Sequence, residues 1–152
     1  MKSIKAILGD RDTFTVEPWA SIGDAARLMA ARHIGAVPVV DGERLVGIFS
    51  ERDVLTRVVA AGRDPEKTAV SEVMSTGLVV ADLGESHEAC LTRMQQAHVR
   101  HLIVLEGGRL AGILSVRDVL AADLDEKTEE LTLLNAYVHY IPAHLQVRTE
   151  RP

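Results

Sequence analysis

A short motif that combines a hydroxyl, a guanidinium and a carboxylate occurs twice in the chain. Its pattern is Gly-Ile-x-Ser-x-Arg-Asp, at residues 47–53 and again at residues 112–118. Each copy follows an apolar run and precedes a helical pattern, so its serine and aspartate lie where a strand gives way to a helix. Groups in that position can cap the helix, or they can hydrogen-bond a ligand held beside it.

Helix capping accounts for part of the motif, because the serine hydroxyl can accept from the amide three residues on while the aspartate reaches back. A ligand accounts for more. The carboxylate can accept two hydrogen bonds from a ribose cis-diol, and the serine, the helix amides and the arginine can donate to phosphate. Capping alone needs neither the arginine nor the glycine that would let a ligand approach the strand. The candidate residues are Ser50, Arg52, Asp53, Ser115, Arg117 and Asp118.

Patterns that would indicate catalysis are missing from the sequence, which has no GxSxG, HExxH, Walker or GxGxxG motif. The single cysteine, Cys90, falls on the apolar face of a helical pattern, which predicts an inert core thiol. His98 and His101 lie on different predicted elements without an acidic or cysteine partner at ligand spacing, so we expect no metal site. His33 and His98 fit helix ends. We therefore predict that the protein is not an enzyme and has no catalytic cofactor.

Each copy of the motif closes a longer repeat. Residues 34–55 align with residues 99–120 without a gap, and half of the aligned positions are identical. The same offset of 65 residues also pairs Ser21 with Ser86 upstream. The chain therefore contains two copies of a unit of about 60 residues, as in other proteins with internal repeats.

Both copies predict the element order β-α-β-β-α, in which the last two strands flank a glycine turn and each helix begins after a serine. The predicted strands are 14–16, 36–40 and 45–49 in the first copy and 78–80, 102–105 and 110–114 in the second. One such unit is too small to bury both faces of its sheet. We expect an α/β (α+β) fold in which repeats 1–65 and 66–123 pack about a pseudo-twofold axis, with two clefts between them.

A helical tail, residues 124–152, has no counterpart in the repeat. Its apolar residues Leu131, Leu134, Val138 and Ile141 fall on one helix face until Pro142 interrupts the pattern. We expect this face to pack over its own domain or against a second subunit. The alternative is a lid, or a contact with an output protein.

Composition narrows the classes of partner. The 152 residues are 47% hydrophobic and 26% charged, with a formal net charge of −5, which is ordinary for a globular protein and argues against direct nucleic-acid binding. No apolar stretch is long enough to span a membrane, and the N-terminus lacks the apolar core of a signal peptide. We therefore expect a cytoplasmic protein.

The paired units resemble the cystathionine-β-synthase (CBS) domain pair, also called a Bateman module, over about residues 4–122. The resemblance rests on Ile34–Val40, Leu45–Ile48, Ser50-x-Arg52-Asp53, their second-copy equivalents and Val73-Met74. In that family the clefts between repeats bind adenosine-containing ligands such as AMP, ADP, ATP, NAD(H) or S-adenosylmethionine. The resemblance implies that Asp53 and Asp118 accept from ribose, and that the motif serines and arginines lie near phosphate. It also implies adenine pockets at Ala36-Val37-Pro38 and His101-Leu102-Ile103.

The two copies differ beside these pockets. Where the first copy has Gly35-Ala36, the second has Arg100-His101, and Ile103 replaces Pro38. The family geometry would bring Arg100, and His101 with it, to the Asp53 cleft, whereas the Asp118 cleft would meet Gly35-Ala36, which carry no charge. A solvated turn at the start of a strand is the alternative for Arg100 and His101. We expect the two clefts to bind unequally.

The resemblance implies a stand-alone regulatory module, a homodimer, that binds adenosine ligands and signals energy or redox state to an unknown effector protein. The alternative is a structural or assembly module whose clefts are vestigial. A DNA-linked regulator is a third class, against which the net charge argues.

Overall fold

The computed structural model describes residues 2–139, with side chains to residue 138. The elements of the first repeat region are α1 (Ile4–Leu8), α2 (Ile22–Arg32), β1 (Ala36–Asp41), β2 (Arg44–Ser50), α3 (Glu51–Asp53), a π-helical stretch (Val54–Val59) and a 3-10 turn (Val70–Glu72). Those of the second are β3 (Val80–Asp82), α4 (His87–Ala97), β4 (His101–Glu106), β5 (Arg109–Ser115) and α5 (Val116–His139). The mixed helix-and-sheet fold with two repeats and a C-terminal helix is confirmed.

The two repeats carry the same antiparallel hairpin in the same register. Strand β1 pairs with β2, and β4 pairs with β5, with a register shift at equivalent places, Val39/Val40 and Val104/Leu105. In the second repeat β3 adds a parallel strand beside β4. The predicted strand at 78–80 is thus shifted to Val80–Asp82. The predicted strand at 14–16 is wrong in extent, because only Val16 forms a bridge, to Val39.

The serine-led helix starts and histidine helix ends are confirmed. Ser21 and Ser86 accept hydrogen bonds from the amides of Asp24 and Ala89 at the starts of α2 and α4. His33 and His98 end the two helices in the left-handed region, with φ of 54° and 53°. Left-handed backbone at a helix end exposes the last carbonyls to bonding by following amides.

Each hydrophobic core is completed by the leading segment of the other repeat. Ile4 and Leu8 of α1 are buried in the second repeat's core, among Cys90, Leu102 and Leu114. Val70 and Val73, at the start of the second repeat, are buried in the first core with Val37 and Phe49. The packing units therefore differ from the linear division at residues 65 and 66, because the leading segment of each repeat crosses to its neighbour.

The tail begins as a continuation of α5, which runs from Val116 to His139 without a break at residue 124. Its first turns pack on the second repeat, where the buried His87 lies 3.6 Å from carboxylate oxygens of Asp123 and Glu126. Further on, Leu131, Leu134 and Val138 are 61%, 60% and 59% exposed. The expected packing of this face over its own domain is therefore wrong for these three side chains. Ile141 and Pro142 lie outside the described residues.

No helix within residues 2–139 combines the length and the apolar character needed to cross a bilayer. The same part of the chain has no group of three or more His, Cys, Asp or Glu side chains arranged to hold a metal ion.

Candidate functional site

The serine and aspartate of both motif copies form the same capping box. The Ser50 amide donates to Asp53 Oδ2 at 2.9 Å, the Ser50 hydroxyl lies 3.1 Å from that oxygen, and the Asp53 amide donates to Ser50 Oγ at 3.3 Å. The corresponding distances for Ser115 and Asp118 are 2.9, 2.9 and 3.1 Å. Capping therefore uses one carboxylate oxygen of each aspartate and leaves Oδ1 outside the capping box.

The Oδ1 atoms of Asp53 and Asp118 lie near different arginines, and the sequence analysis indicated neither arginine. Asp118 Oδ1 lies 3.0 Å from Nη1 of Arg11, which comes from the segment after α1. Asp53 Oδ1 lies 3.7 Å from Nε of Arg57, one helical turn further along. The spacing of four residues could have suggested the Arg57 contact. Arg11 has no such signal, because it is remote in sequence from Asp118 and its counterpart at the repeat offset is Thr76.

The motif glycines are explained by the chain itself. A Cβ on Gly47 would lie 2.5 Å from Met74 Sδ and 3.1 Å from the Ser75 carbonyl oxygen, because residues 73–79, called the linker below, cross β2 there. A Cβ on Gly112 would lie 3.1 Å from Leu8 Cδ1. The expectation that the glycine admits a ligand is therefore corrected for Gly47, whereas Gly112 lines the second cleft.

The first cleft, about 350 Å³, lies between the Asp53 motif and the start of β4. Arg100 and His101 line it together with Ser50, Arg52 and Asp53, as the resemblance to the CBS pair implies. Ser75 and residues 77–79 form another wall. Further lining residues that sequence reasoning missed are Glu51, Thr56 and Arg57.

The second cleft is larger, about 1440 Å³, and lies between the Asp118 motif and the start of β1. Gly35 and Ala36 line it with Ser115, Arg117 and Asp118, again as that resemblance implies. Gly35 and Ala36 carry no charge, but α1, the segment after it and α2 add cations to this cleft. Arg100, expected at the Asp53 cleft, lines both clefts. The basic lining residues are Lys5, Arg11, Arg32, Arg100 and Arg117.

Three residues of the expected adenine pockets do not line either cleft. Val37 is buried in the first core and Leu102 in the second, and Pro38 is buried within β1. Ala36 lines the second cleft, while Ile103 lines the first. Successive strand residues point to opposite faces, so a strand that borders a cleft presents only part of its sequence to it.

His101 stands between the clefts and lines both. Burial lowers the pKa of His101 from its ordinary value, against the opposing effect of the carboxylates of Glu51 and Asp118. A histidine with a lowered pKa is predominantly neutral at pH 7. His101 therefore offers a neutral hydrogen-bonding group rather than a positive charge, and Arg100 is the cation of this turn.

Cys90, the only cysteine, is buried in the second core, and burial raises the pKa of its thiol. The predicted placement as a core thiol is confirmed. A buried thiol with a raised pKa is a poor nucleophile at neutral pH.

The structure contains two copies of one unit, related by a constant offset, with clefts between them. Comparison with known proteins identifies this unit. The family model of the CBS domain matches residues 4–60 and again residues 70–125. The chain belongs to the CBS domain family. The two matches are its two repeats, so residues 4–125 form a CBS pair.

Known CBS proteins match most of the chain. The CBS domain-containing protein YhcV of Bacillus subtilis is 36% identical over 121 residues, which cover 80% of this chain and 86% of YhcV. A solved CBS-domain structure from Burkholderia ambifaria has a TM-score of 0.78 at 33% identity, covering 82% of this chain and 95% of that one. A CBS domain protein of Pyrobaculum aerophilum, solved in complex with AMP, has a TM-score of 0.70 at 24% identity, covering 77% and 89%.

Proposed function

We propose that this CBS pair is a non-catalytic regulatory module that binds adenosine-containing ligands in its two clefts. The observation that carries the proposal is the pairing of groups in each cleft. In each cleft a motif aspartate of one repeat lies across from the strand start of the other repeat, and arginines line the cavity between them. One carboxylate oxygen of each aspartate is outside the capping box. A carboxylate beside cations suits a ribose joined to phosphate.

Each proposed binding residue has one role in this arrangement. Asp53 and Asp118 accept from the ribose hydroxyls, and the motif serines with Arg52 and Arg117 lie near the phosphate. Arg100 adds charge to both clefts, and Ala36, His101 and Ile103 border the base. Val37, Pro38 and Leu102 support these strands from within the protein.

Regulation would follow from differential affinity. A ligand that touches both repeats stabilises the arrangement in which both sets of contacts are made, and it shifts the population only as far as it prefers that arrangement. AMP, ADP, ATP and NAD(H) are the proposed ligands, since they join ribose to phosphate, and an effector protein in the cytoplasm would read the change.

Thermal unfolding with a panel of AMP, ADP, ATP, NADH and S-adenosylmethionine tests the proposal. A ligand at about 100 times its Kd stabilises the folded state by about 2.7 kcal/mol. For a chain of this size that raises Tm by roughly 5–10 °C. The Asp53→Asn/Asp118→Asn double variant is the matched control and should lose the shift. Absence of any shift across the panel at millimolar concentration would favour a purely structural module.

We also propose that two copies associate through exposed apolar helix faces. Leu55 and Leu120, which are equivalent at the repeat offset, are 63% and 51% exposed, and the face of Leu131, Leu134 and Val138 extends this surface along α5. Burial of such residues in a dimer removes apolar surface from water. Light scattering should give a dimer at tens of micromolar.

Leu131→Glu should shift that dimer toward monomer, whereas Leu133→Glu, an exposed position off that face, should not. A monomer in the unaltered chain would contradict the association.

A further inference from the structure

The two proposed ribose acceptors are not equally available. Asp118 has both carboxylate oxygens engaged, Oδ2 with Ser115 and Oδ1 with Arg11 at 3.0 Å. Asp53 has only the 3.7 Å approach of Arg57 at Oδ1, which is longer than a hydrogen bond. A ribose diol that uses Oδ1 therefore meets a competing guanidinium in the second cleft.

Arg11 can leave its carboxylate at small cost, whereas Arg57 is fixed. Besides Asp118, the Arg11 guanidinium makes a 3.4 Å contact with the Ile7 carbonyl, and its side chain is 48% exposed. Arg57 donates to the Val73 carbonyl at 2.9 Å, which ties it to the linker. With Arg11 48% exposed and Asp118 22% exposed, water partly screens the ion pair, so a ligand can displace Arg11.

The backbone that carries Arg11 nevertheless stays at the cleft. Gly9 adopts φ of 53° and turns the chain away from α1, and the Thr13 hydroxyl donates to the Ala111 carbonyl on β5 at 3.1 Å. The displaced guanidinium therefore remains inside a cleft that Arg117 also lines. The residue at the equivalent position of the linker is Thr76, which carries no charge and does not line the first cleft.

On the basis of the proposed function, we propose that Arg11 makes the Asp118 cleft selective for anionic adenosine ligands over neutral ones. A neutral nucleoside must displace Arg11 from Asp118 and gives the guanidinium no new partner. A ligand that carries phosphate displaces it and then binds it. Arg11 thus weakens the binding of neutral nucleosides and strengthens the binding of ligands that carry phosphate.

Calorimetry with AMP and with adenosine tests this selectivity in the full chain carrying Asp53→Asn, which weakens the first cleft. Adding Arg11→Gln should strengthen adenosine binding about two- to fivefold, because the competing ion pair is gone. AMP gains the same relief but loses a charge-assisted contact that contributes roughly ten- to hundredfold, so AMP binding should weaken. Because the relief is common to both ligands, the ratio of the two affinities should fall roughly ten- to hundredfold.

Lys5→Gln is the matched control, since it removes one positive charge from the wall of the same cleft. It should change the affinity ratio by less than about threefold, and Arg11→Lys should restore most of the preference for AMP. Equal weakening of both ligands by Arg11→Gln, or an unchanged ratio, would overturn the role of Arg11 while leaving the proposed function intact. If the unaltered chain binds neither AMP nor adenosine, the proposed function itself fails.

Discussion

The two clefts share their innermost chemistry and differ in what surrounds it. Both motif copies make the same three hydrogen bonds between serine and aspartate, within about 0.2 Å of one another. Around them, the first cleft measures about 350 Å³ and the second about 1440 Å³. The walls that differ include Ser75 and residues 77–79 over the first cleft and Gly9 and residues 11–14 over the second.

The two copies thus share the helix start and differ in the segments that cross to the other repeat. At the repeat offset, Asp10-Arg11-Asp12 corresponds to Ser75-Thr76-Gly77, so one crossing segment is charged and the other is neutral. The capping box is needed for each helix to begin, and therefore both copies keep it. The crossing segments only have to pass over a strand, which leaves their polar residues free to diverge.

The largest expected effect is the loss of a motif carboxylate. Asp53→Ala should weaken AMP and adenosine alike in the first cleft, by about tenfold or more, because both ligands carry the ribose diol and a charged acceptor is removed. Asp118→Ala should do the same in the second cleft. Calorimetry of each variant assigns the two binding events. The comparison of clefts would be broken if either variant abolished binding at both.

Arg100→Ala should act on phosphate alone. Arg100 lines both clefts, and a charge-assisted contact with phosphate contributes about 1.5–3 kcal/mol, roughly ten- to hundredfold in affinity. We expect AMP binding to weaken by that factor, more in the first cleft than in the second, where Arg11 remains. Adenosine binding should barely change in calorimetry. Equal losses of AMP and adenosine would mean that Arg100 supports the fold instead.

Gly47 and Gly112 lie beneath the two crossing segments, so an alanine at each position tests how tightly that segment packs. Gly47→Ala should destabilise the protein by about 1–3 kcal/mol, because the new methyl group meets Met74 and the backbone of Ser75. Gly112→Ala should cost less, since its nearest neighbour is the end of the Leu8 side chain. Urea unfolding of the two variants measures the difference. Greater destabilisation by Gly112→Ala would reverse the assignment of the tighter crossing.

The smallest effect concerns His101, which the clefts share. Because burial lowers its pKa in the folded state, the unfolded chain binds the proton first as the pH falls. This contribution to stability is therefore complete above about pH 6.5 and declines below it, by at most about 1.4 kcal/mol per pH unit. Urea unfolding of the ligand-free protein between pH 7 and 5.5 should show a shallower decline for His101→Gln than for the unaltered chain.

The repeat made the fold and the inner site predictable. A gapless alignment of residues 34–55 with residues 99–120 carries the hairpins and both helix starts, and the resemblance to the CBS pair adds the pairing of Asp53 with Arg100 across the first cleft. Such features depend on local periodicity and on symmetry, which a sequence displays directly.

What the sequence could not indicate depends on contacts between distant segments. Arg11 reaches Asp118 across more than half of the chain, and its repeat counterpart has no charge, so neither spacing nor symmetry points to it. The short bridge at Val16 has the same origin, since β-propensity alone does not fix how many residues pair with β1. The need for glycine at position 47 has the same origin, because it depends on how Met74 and Ser75 pack against β2.

The crossing of α1 into the second core also sets an order of events during synthesis. Ile4 and Leu8 leave the ribosome before their buried partners, which extend to Leu114 and Val119. At about 5–20 residues per second, these two apolar side chains wait roughly 5–20 s for the core that covers them. The first repeat's core, whose buried residues end at Val73, can close well before that. The nascent chain therefore passes through an interval in which the first core can fold while α1 is still exposed. A chaperone that binds α1 would act during that interval.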